Sequence, residues 1–125
     1  MVVGIGTDLV FIPRIRETIN IYGDSFIKKT FTTSENEGAF DRKDKAKYYA
    51  TLFACKEAVF KAISHSLNGR SFDLRTVETL HNENGEPYIS ISDDFRTLLK
   101  EIGINSLLVT VSHEKDYVVA FVIAQ

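Results

Sequence analysis

Lys47-Tyr48-Tyr49-Ala50-Thr51-Leu52-Phe53-Ala54-Cys55-Lys56-Glu57-Ala58-Val59-Phe60-Lys61-Ala62-Ile63 is the centre of a segment, residues 44 to 67, whose spacing predicts one long helix. Tyr49, Phe53, Phe60, Ile63 and Leu67 recur at intervals of three, four and seven, which places them on one stripe. Relative to Phe53, Glu57 and Lys61 fall about 40° and 80° to one side, at roughly 100° per residue. Ala50, Ala54 and Ser64 share that flank, and their small size leaves room for a group to approach the Glu57–Lys61 pair. The helix alone supports two readings of that pair. One is an ordinary i,i+4 ion pair on a solvated face, worth roughly 0.2–0.5 kcal/mol. The other is part of a site. Lys56 falls within the apolar stripe and must snorkel or find a partner.

Outward from this helix, the chain alternates between helical and extended signals. Residues 2 to 10 read as a strand around Gly4 and Gly6. Pro13 suits the first position of a helix that runs to about Tyr22 and stops at Gly23. Residues 24 to 31 form a short apolar and basic helical stretch, and Thr32 with Glu35 fits a capping box for the next. Residues 77–80 and 87–91 read as a hairpin around Asn84-Gly85. Ser92 or Asp93 caps a helix to Ile102, ended by Gly103. Residues 107–112 and 117–123 make a second hairpin around Glu114-Lys115-Asp116. Helices and antiparallel strands in this order predict an α+β fold, an antiparallel sheet with one long helix and several short ones, in a single domain spanning 1–125.

A net charge of −2 disfavours a nucleic-acid partner. The charge is uneven, however. Residues 14 to 61 hold ten Lys and Arg against seven Asp and Glu, and residues 62 to 125 hold five against nine. A basic N-terminal half fits an anionic ligand or partner, and a solvated helical surface fits it too. The single cysteine, Cys55, excludes an intrachain disulfide and reads as a small packing residue. No apolar run approaches the ~20 residues of a membrane span, and the N-terminus lacks a signal-peptide pattern. The expectation is a soluble, cytoplasmic protein with no membrane partner.

Asp8 and Glu57 carry the chemistry. Asp8 closes Gly4-Ile5-Gly6-Thr7-Asp8, and Glu57 has Lys61 one helical turn on. Two hard carboxylates suit Mg²⁺, whose octahedron is completed by water and phosphate oxygens. A lysine beside them offsets charge on a phosphate.

The motif Gly4-Ile5-Gly6-Thr7-Asp8, followed after 44 residues by Phe53-Ala54-Cys55-Lys56-Glu57-Ala58-Val59-Phe60-Lys61, resembles the signature of the 4′-phosphopantetheinyl transferases, and among them the short bacterial holo-acyl-carrier-protein synthase type. Phe31-Thr32-Thr33-Ser34-Glu35, Asn84-Gly85-Glu86-Pro87-Tyr88 and Val111-Ser112-His113-Glu114-Lys115-Asp116-Tyr117 are similar to further family segments, so the resemblance covers nearly the whole chain.

The resemblance implies transfer of the phosphopantetheine arm of coenzyme A to a serine of an apo acyl carrier protein, leaving adenosine 3′,5′-bisphosphate. It implies Asp8 and Glu57 as Mg²⁺ ligands, and Glu57 and Lys61 as the catalytic pair. Lys61, His113, Asn84, Gly85 and Pro87 would bind coenzyme A. Arg14 is the leading contact for the acidic carrier protein, with Lys28 and Lys29 beside it. A homotrimer with active sites between subunits is implied as well. Val109, Val111, Val119, Phe121 and Ile123 are expected on one face of the last two strands, with Leu108, Val118, Val122 and Ala124 on the other.

Two features depart from the family pattern. Leu52 replaces an arginine, and Ala62 to Gly69 replace a Gly-Thr-Gly turn. Both departures are expected near the nucleotide's phosphates, where His65 and Arg70 are candidate substitutes. The rival readings are a Mg²⁺-dependent phosphohydrolase or nuclease, and a small non-enzymatic binding module.

Overall fold

The computed structural model describes residues 1–125. Its elements are β1 (Gly4–Phe11), α1 (Ile12–Tyr22), α2 (Asp24–Thr30), α3 (Thr33–Gly38), α4 (Lys45–Ile63), β2 (Glu78–His81), β3 (Pro87–Ser90), α5 (Asp93–Glu101), β4 (Leu107–Glu114) and β5 (Tyr117–Ala124). Short 3-10 turns occupy Ser64–Ser66 and Leu74–Thr76. The α+β class expected from the sequence is the one observed.

The punctuation residues act as their chemistry predicts. Pro13 sits in the first turn of α1, and Gly23 ends that helix at φ 51°. Thr32 and Glu35 form a reciprocal capping box: the Glu35 amide donates to Thr32 Oγ1 at 3.2 Å, and the Thr32 amide to Glu35 Oε1 at 2.9 Å. Asp44 caps α4 by accepting from the Lys47 amide. That helix ends at Ile63, earlier than the stripe predicts, and its continuation tightens into the 3-10 turn.

The main sheet has the order β1-β5-β4, all antiparallel, and β2–β3 form a separate two-stranded hairpin. Helix α4 lies across the main sheet. A Cβ at Gly6 would overlap the Ala58 carbonyl oxygen, and one at Gly4 the Ala62 carbonyl oxygen. Glycine at these positions lets the backbone of β1 touch the backbone of α4.

Two expectations need correction. The buried surface of α4 is not one aromatic stripe. Ala50, Leu52, Ala54, Cys55, Ala58, Val59, Ala62 and Ile63 are fully buried, whereas Phe53 and Phe60 are only partly so. The helix is central, so small residues pack against β1 and β5 rather than leaving an open flank at Ala50 and Ala54.

The second correction concerns the faces of the sheet. Leu108 pairs with Ile123, Thr110 with Phe121 and Ser112 with Val119, so these share a face. Val109 and Val111 lie on the opposite face, with Val118, Ala120, Val122 and Ala124. The two-residue turn Lys115-Asp116 pairs odd positions of β4 with even positions of β5, which alternation within single strands does not reveal.

Candidate active site

Alternation along β1 points Gly4, Gly6, Asp8 and Val10 toward α4. The glycines pull the strand onto the helix, and Asp8, next on that face, meets the polar flank of α4. Lys61 Nζ reaches back to the strand, 3.2 Å from Asp8 Oδ1 and 2.9 Å from the Thr7 carbonyl oxygen. The i,i+4 pair with Glu57 does not form; the ammonium bridges helix to strand instead. Glu57 stands partly buried beside Asp8. Burial and then the Asp8 charge raise its pKa above the ordinary value, while Lys61 pulls it down. Asp8, Glu57 and Lys61 thus cluster where β1 meets α4.

No third His, Cys, Asp or Glu joins the two carboxylates. That donor set fits a hard divalent cation completed by water and phosphate oxygens, and does not fit a closed zinc site. Beside it opens a 320 Å³ cavity lined by Ile5, Gly6, Thr7, Lys61 and Phe121.

His113, Gly85 and Pro87 gather elsewhere, in a 400 Å³ cavity they share with Arg42, Lys43, Lys47, Thr51 and His81. His113 Nε2 lies 2.9 Å from Thr51 Oγ1, whose hydroxyl donates to the Lys47 carbonyl oxygen. Burial, then the charge of Lys47, lowers the pKa of His113; burial, then Arg42, lowers that of His81. Asn84 is exposed at the hairpin tip, where its amide donates to Asn82 Oδ1 and Gly85 turns at φ 80°.

The two clusters lie at opposite edges of the sheet, Asp8 on β1 and His113 on β4, with β5 between them. Adjacent strands are about 4.8 Å apart, so the edges are about 10 Å apart. Along α4, Thr51 and Lys61 are separated by about 15 Å. The single chain does not bring the predicted residues into one pocket.

Arg14, Lys28 and Lys29 are exposed on α1 and α2 and form no ion pair. Leu52 is fully buried in the core, so it faces no phosphate, contrary to the expectation from the family pattern. Arg70 pairs with Glu101 at 2.6 Å, and His65 is exposed on the 3-10 turn. The sequence reading missed Arg42, Lys43, Lys47, Thr51 and His81. The run Arg42-Lys43-Asp44-Lys45-Ala46-Lys47 was visible as charge, but not as the wall of a cavity. A larger cavity of 950 Å³, lined in part by Arg16, Ile27, Phe40 and Tyr49, holds none of the predicted site residues.

The sequence profile of the 4′-phosphopantetheinyl transferase superfamily matches residues 4–122. The chain belongs to this superfamily. Among relatives of this transferase chain, the holo-[acyl-carrier-protein] synthase of Protochlamydia amoebophila (strain UWE25) is 37% identical over 123 residues, covering 98% of each chain. The crystal structure of holo-[acyl-carrier-protein] synthase from Neisseria meningitidis superposes with a TM-score of 0.89 at 30% identity, over 100% of this chain and 99% of that one. A structure described as a Chronobacterium ammoniagenes ACPS-CoA complex superposes at 0.81 and 26% identity, over 98% of this chain and 96% of that one. This full-length agreement makes the 4′-phosphopantetheinyl transferase fold that of this chain.

Proposed function

We propose that the chain transfers 4′-phosphopantetheine from coenzyme A to a serine of an apo acyl carrier protein. The observation that carries this is the Asp8–Glu57–Lys61 cluster at the glycine-enforced contact of β1 and α4, in a transferase-superfamily chain whose relatives bear the holo-[acyl-carrier-protein] synthase name.

In the reaction, the serine oxygen attacks the phosphorus on the pantetheine side of the pyrophosphate. The bond from that phosphorus to the bridging oxygen breaks, and adenosine 3′,5′-bisphosphate leaves. Glu57, directly or through a water, is the proposed acceptor of the serine proton, since it stands in the same cluster as Asp8 and Lys61. Lys61 sets a positive charge where the departing phosphate gains negative charge. Asp8 and Glu57 are the residues that would hold Mg²⁺, which when bound polarises the phosphorus and neutralises the pyrophosphate.

The cavity of His113, Gly85 and Pro87 is the proposed seat of the nucleotide end, with Asn84 at its rim. Arg42, Lys43 and Lys47 supply the charge for a 3′-phosphate that buried Leu52 does not. A cavity this distant from Asp8 serves the reaction only if another copy of the chain brings it alongside, and the proposed active unit, a homotrimer as the family resemblance implies, has its sites between subunits. Arg14, with Lys28 and Lys29, is the proposed landing surface for the acidic carrier. No helix of the chain is long and apolar enough to cross a membrane, and unpaired, buried Cys55 fits a cytoplasmic location.

The test is mass spectrometry of an apo-carrier protein incubated with the chain, coenzyme A and Mg²⁺. A gain of one phosphopantetheine, lost on chelation, is the expected result. An unmodified carrier, with plasmid DNA degraded in a parallel digest, would favour a nuclease instead.

A further inference from the structure

Lys56 and Glu57 are neighbours in sequence but turn to different surroundings. Glu57 faces the Asp8 cluster, whereas Lys56 is fully buried against Glu35, with Nζ 2.7 Å from Oε1. Nζ also donates to the carbonyl oxygens of Leu74, at 3.0 Å, and Val77. Glu35 is equally committed. Its Oε1 accepts from the Thr32 amide and its Oε2 from the Thr79 amide, each at 2.9 Å. Its backbone carbonyl accepts from the Tyr48 hydroxyl at 2.7 Å.

These bonds converge on the 3-10 turn Leu74–Thr76, on Val77 after it and on the start of the β2–β3 hairpin that follows. The β2–β3 hairpin shares no ladder with the main sheet, and a two-stranded hairpin by itself is marginal in water. Val77, Thr79 and Ile89 anchor it through burial. Beyond the local turn at Asp73, residues 74–90 are tied to distant parts of the chain by hydrogen bonds with Lys56 (to Leu74 and Val77), Glu35 (to Thr79) and Thr32, whose hydroxyl donates to Glu78 at 2.6 Å. The far ends of the same hairpin deliver His81, Gly85 and Pro87 to the cavity opposite Thr51 and His113.

We propose that Glu35 and Lys56 are positioning residues, a buried clasp that fixes the β2–β3 hairpin against α4 and thereby sets the affinity for the nucleotide end of coenzyme A. The pair touches no reacting atom. A buried ion pair is no bargain for stability against apolar residues of the same shape, but its directional bonds fix one docking of the hairpin. The nucleotide half of this inference rests on the function proposed above; the docking half does not.

The experiment uses full-length Glu35→Gln, which retains an acceptor for one amide but not the charge, and the apolar double variant Glu35→Leu/Lys56→Met. Hydrogen exchange of residues 78–90 is read beside steady-state kinetics with coenzyme A and with its form lacking the 3′-phosphate. The expected result for Glu35→Gln is exchange roughly tenfold faster in the hairpin, with β1, β4 and β5 unchanged. The KM for coenzyme A should rise about tenfold with kcat altered less than about threefold, and the preference over the dephospho form should shrink. The double variant should fold and show the same split.

Unchanged hairpin exchange in a folded variant overturns the clasp. Faster exchange with an unchanged coenzyme A KM overturns its link to the nucleotide. An equal loss in kcat and in both substrates' KM values, or failure of both variants to fold, makes the pair a condition of the whole fold and also overturns the proposal. If the wild-type chain transfers nothing, the functional reading fails, while the exchange comparison still decides the clasp.

Discussion

A carboxylate, a second carboxylate and an ammonium from two elements are the smallest unit that explains this chain. Asp8→Ala and Glu57→Ala are each expected to abolish carrier modification with circular dichroism unchanged, because the proposed Mg²⁺ site would lose one of its two protein carboxylates. Lys61→Ala should lower kcat by about 10²-fold, the usual consequence of removing one preorganised charge-stabilising donor. A folded Asp8→Ala chain with near-normal turnover would dismiss the site. Asp8 and Glu57 were legible in the sequence because each sits in a distinctive phrase. The partner of Lys61 was not, because an i,i+4 rule sees only the helix and the contact runs to a strand 53 residues away. Leu52 was misplaced for a related reason: the family pattern names the residue type, while its exposure depends on how α4 sits in the core.

The histidine pair adds a pH dependence at the same scale. Both pKa values lie below the ordinary 6.5, through burial and the neighbouring Lys47 and Arg42. The unfolded chain therefore takes up protons first as pH falls. The stability these groups contribute is present above about 6.5 and is lost as pH falls through their depressed values. Melting temperature should drop over that window, less steeply in a His81→Gln/His113→Gln variant. Adenosine 3′,5′-bisphosphate should flatten the wild-type profile, since a bound phosphate favours the protonated ring. Identical profiles for wild type and variant would refute the assignment.

At the scale of elements, the contact between β1 and α4 governs the site. Gly6→Ala would drive a methyl into the Ala58 carbonyl oxygen, two residues from Asp8. The expected loss is about 1–3 kcal/mol or more, read by urea denaturation, together with reduced turnover from a displaced Asp8. An unchanged midpoint and rate would mean that the strand need not lie against the helix. The glycines were visible in the sequence, but the strand reading alone gave no reason for them; the reason lies in the helix that covers them.

Helices α1 and α2 carry the proposed landing surface for the carrier protein. Arg14→Glu should raise the KM for the carrier protein several-fold and leave that for coenzyme A nearly unchanged, and added salt should weaken the wild-type encounter. Equal changes for both substrates would assign Arg14 to the active site instead. Strand and helix positions were largely legible from caps, glycines and alternation. The facing of β4 against β5 was not, because the parity of a two-residue turn decides it.

For the whole molecule, the deciding surface is the sheet face turned away from α4. Ile5, Leu9 and Leu108 are 63%, 65% and 52% exposed there, beside Phe11, Tyr117 and Phe121. Apolar side chains from all three strands make this face continuous, and monomeric proteins rarely leave such a patch uncovered. The observed register enlarges the patch, since Leu108 joins Val119, Phe121 and Ile123 on the outer face. The two halves of the proposed site also sit at opposite edges of that sheet, where a neighbour's edge can meet each one. Leu9→Asp/Phe121→Asp should give a folded monomer by sedimentation, with little transfer activity. Mixing supplies the sharper test. Asp8→Ala alone is expected to be inactive, and His113→Ala alone to be weak at low coenzyme A. Co-expressed, they should regain activity, because some sites then combine an intact Asp8 from one subunit with an intact His113 from the next. Activity no greater than the sum of the two variants, in mixed oligomers verified by tag pull-down, would place the whole site within one chain and leave the apolar face without a catalytic purpose.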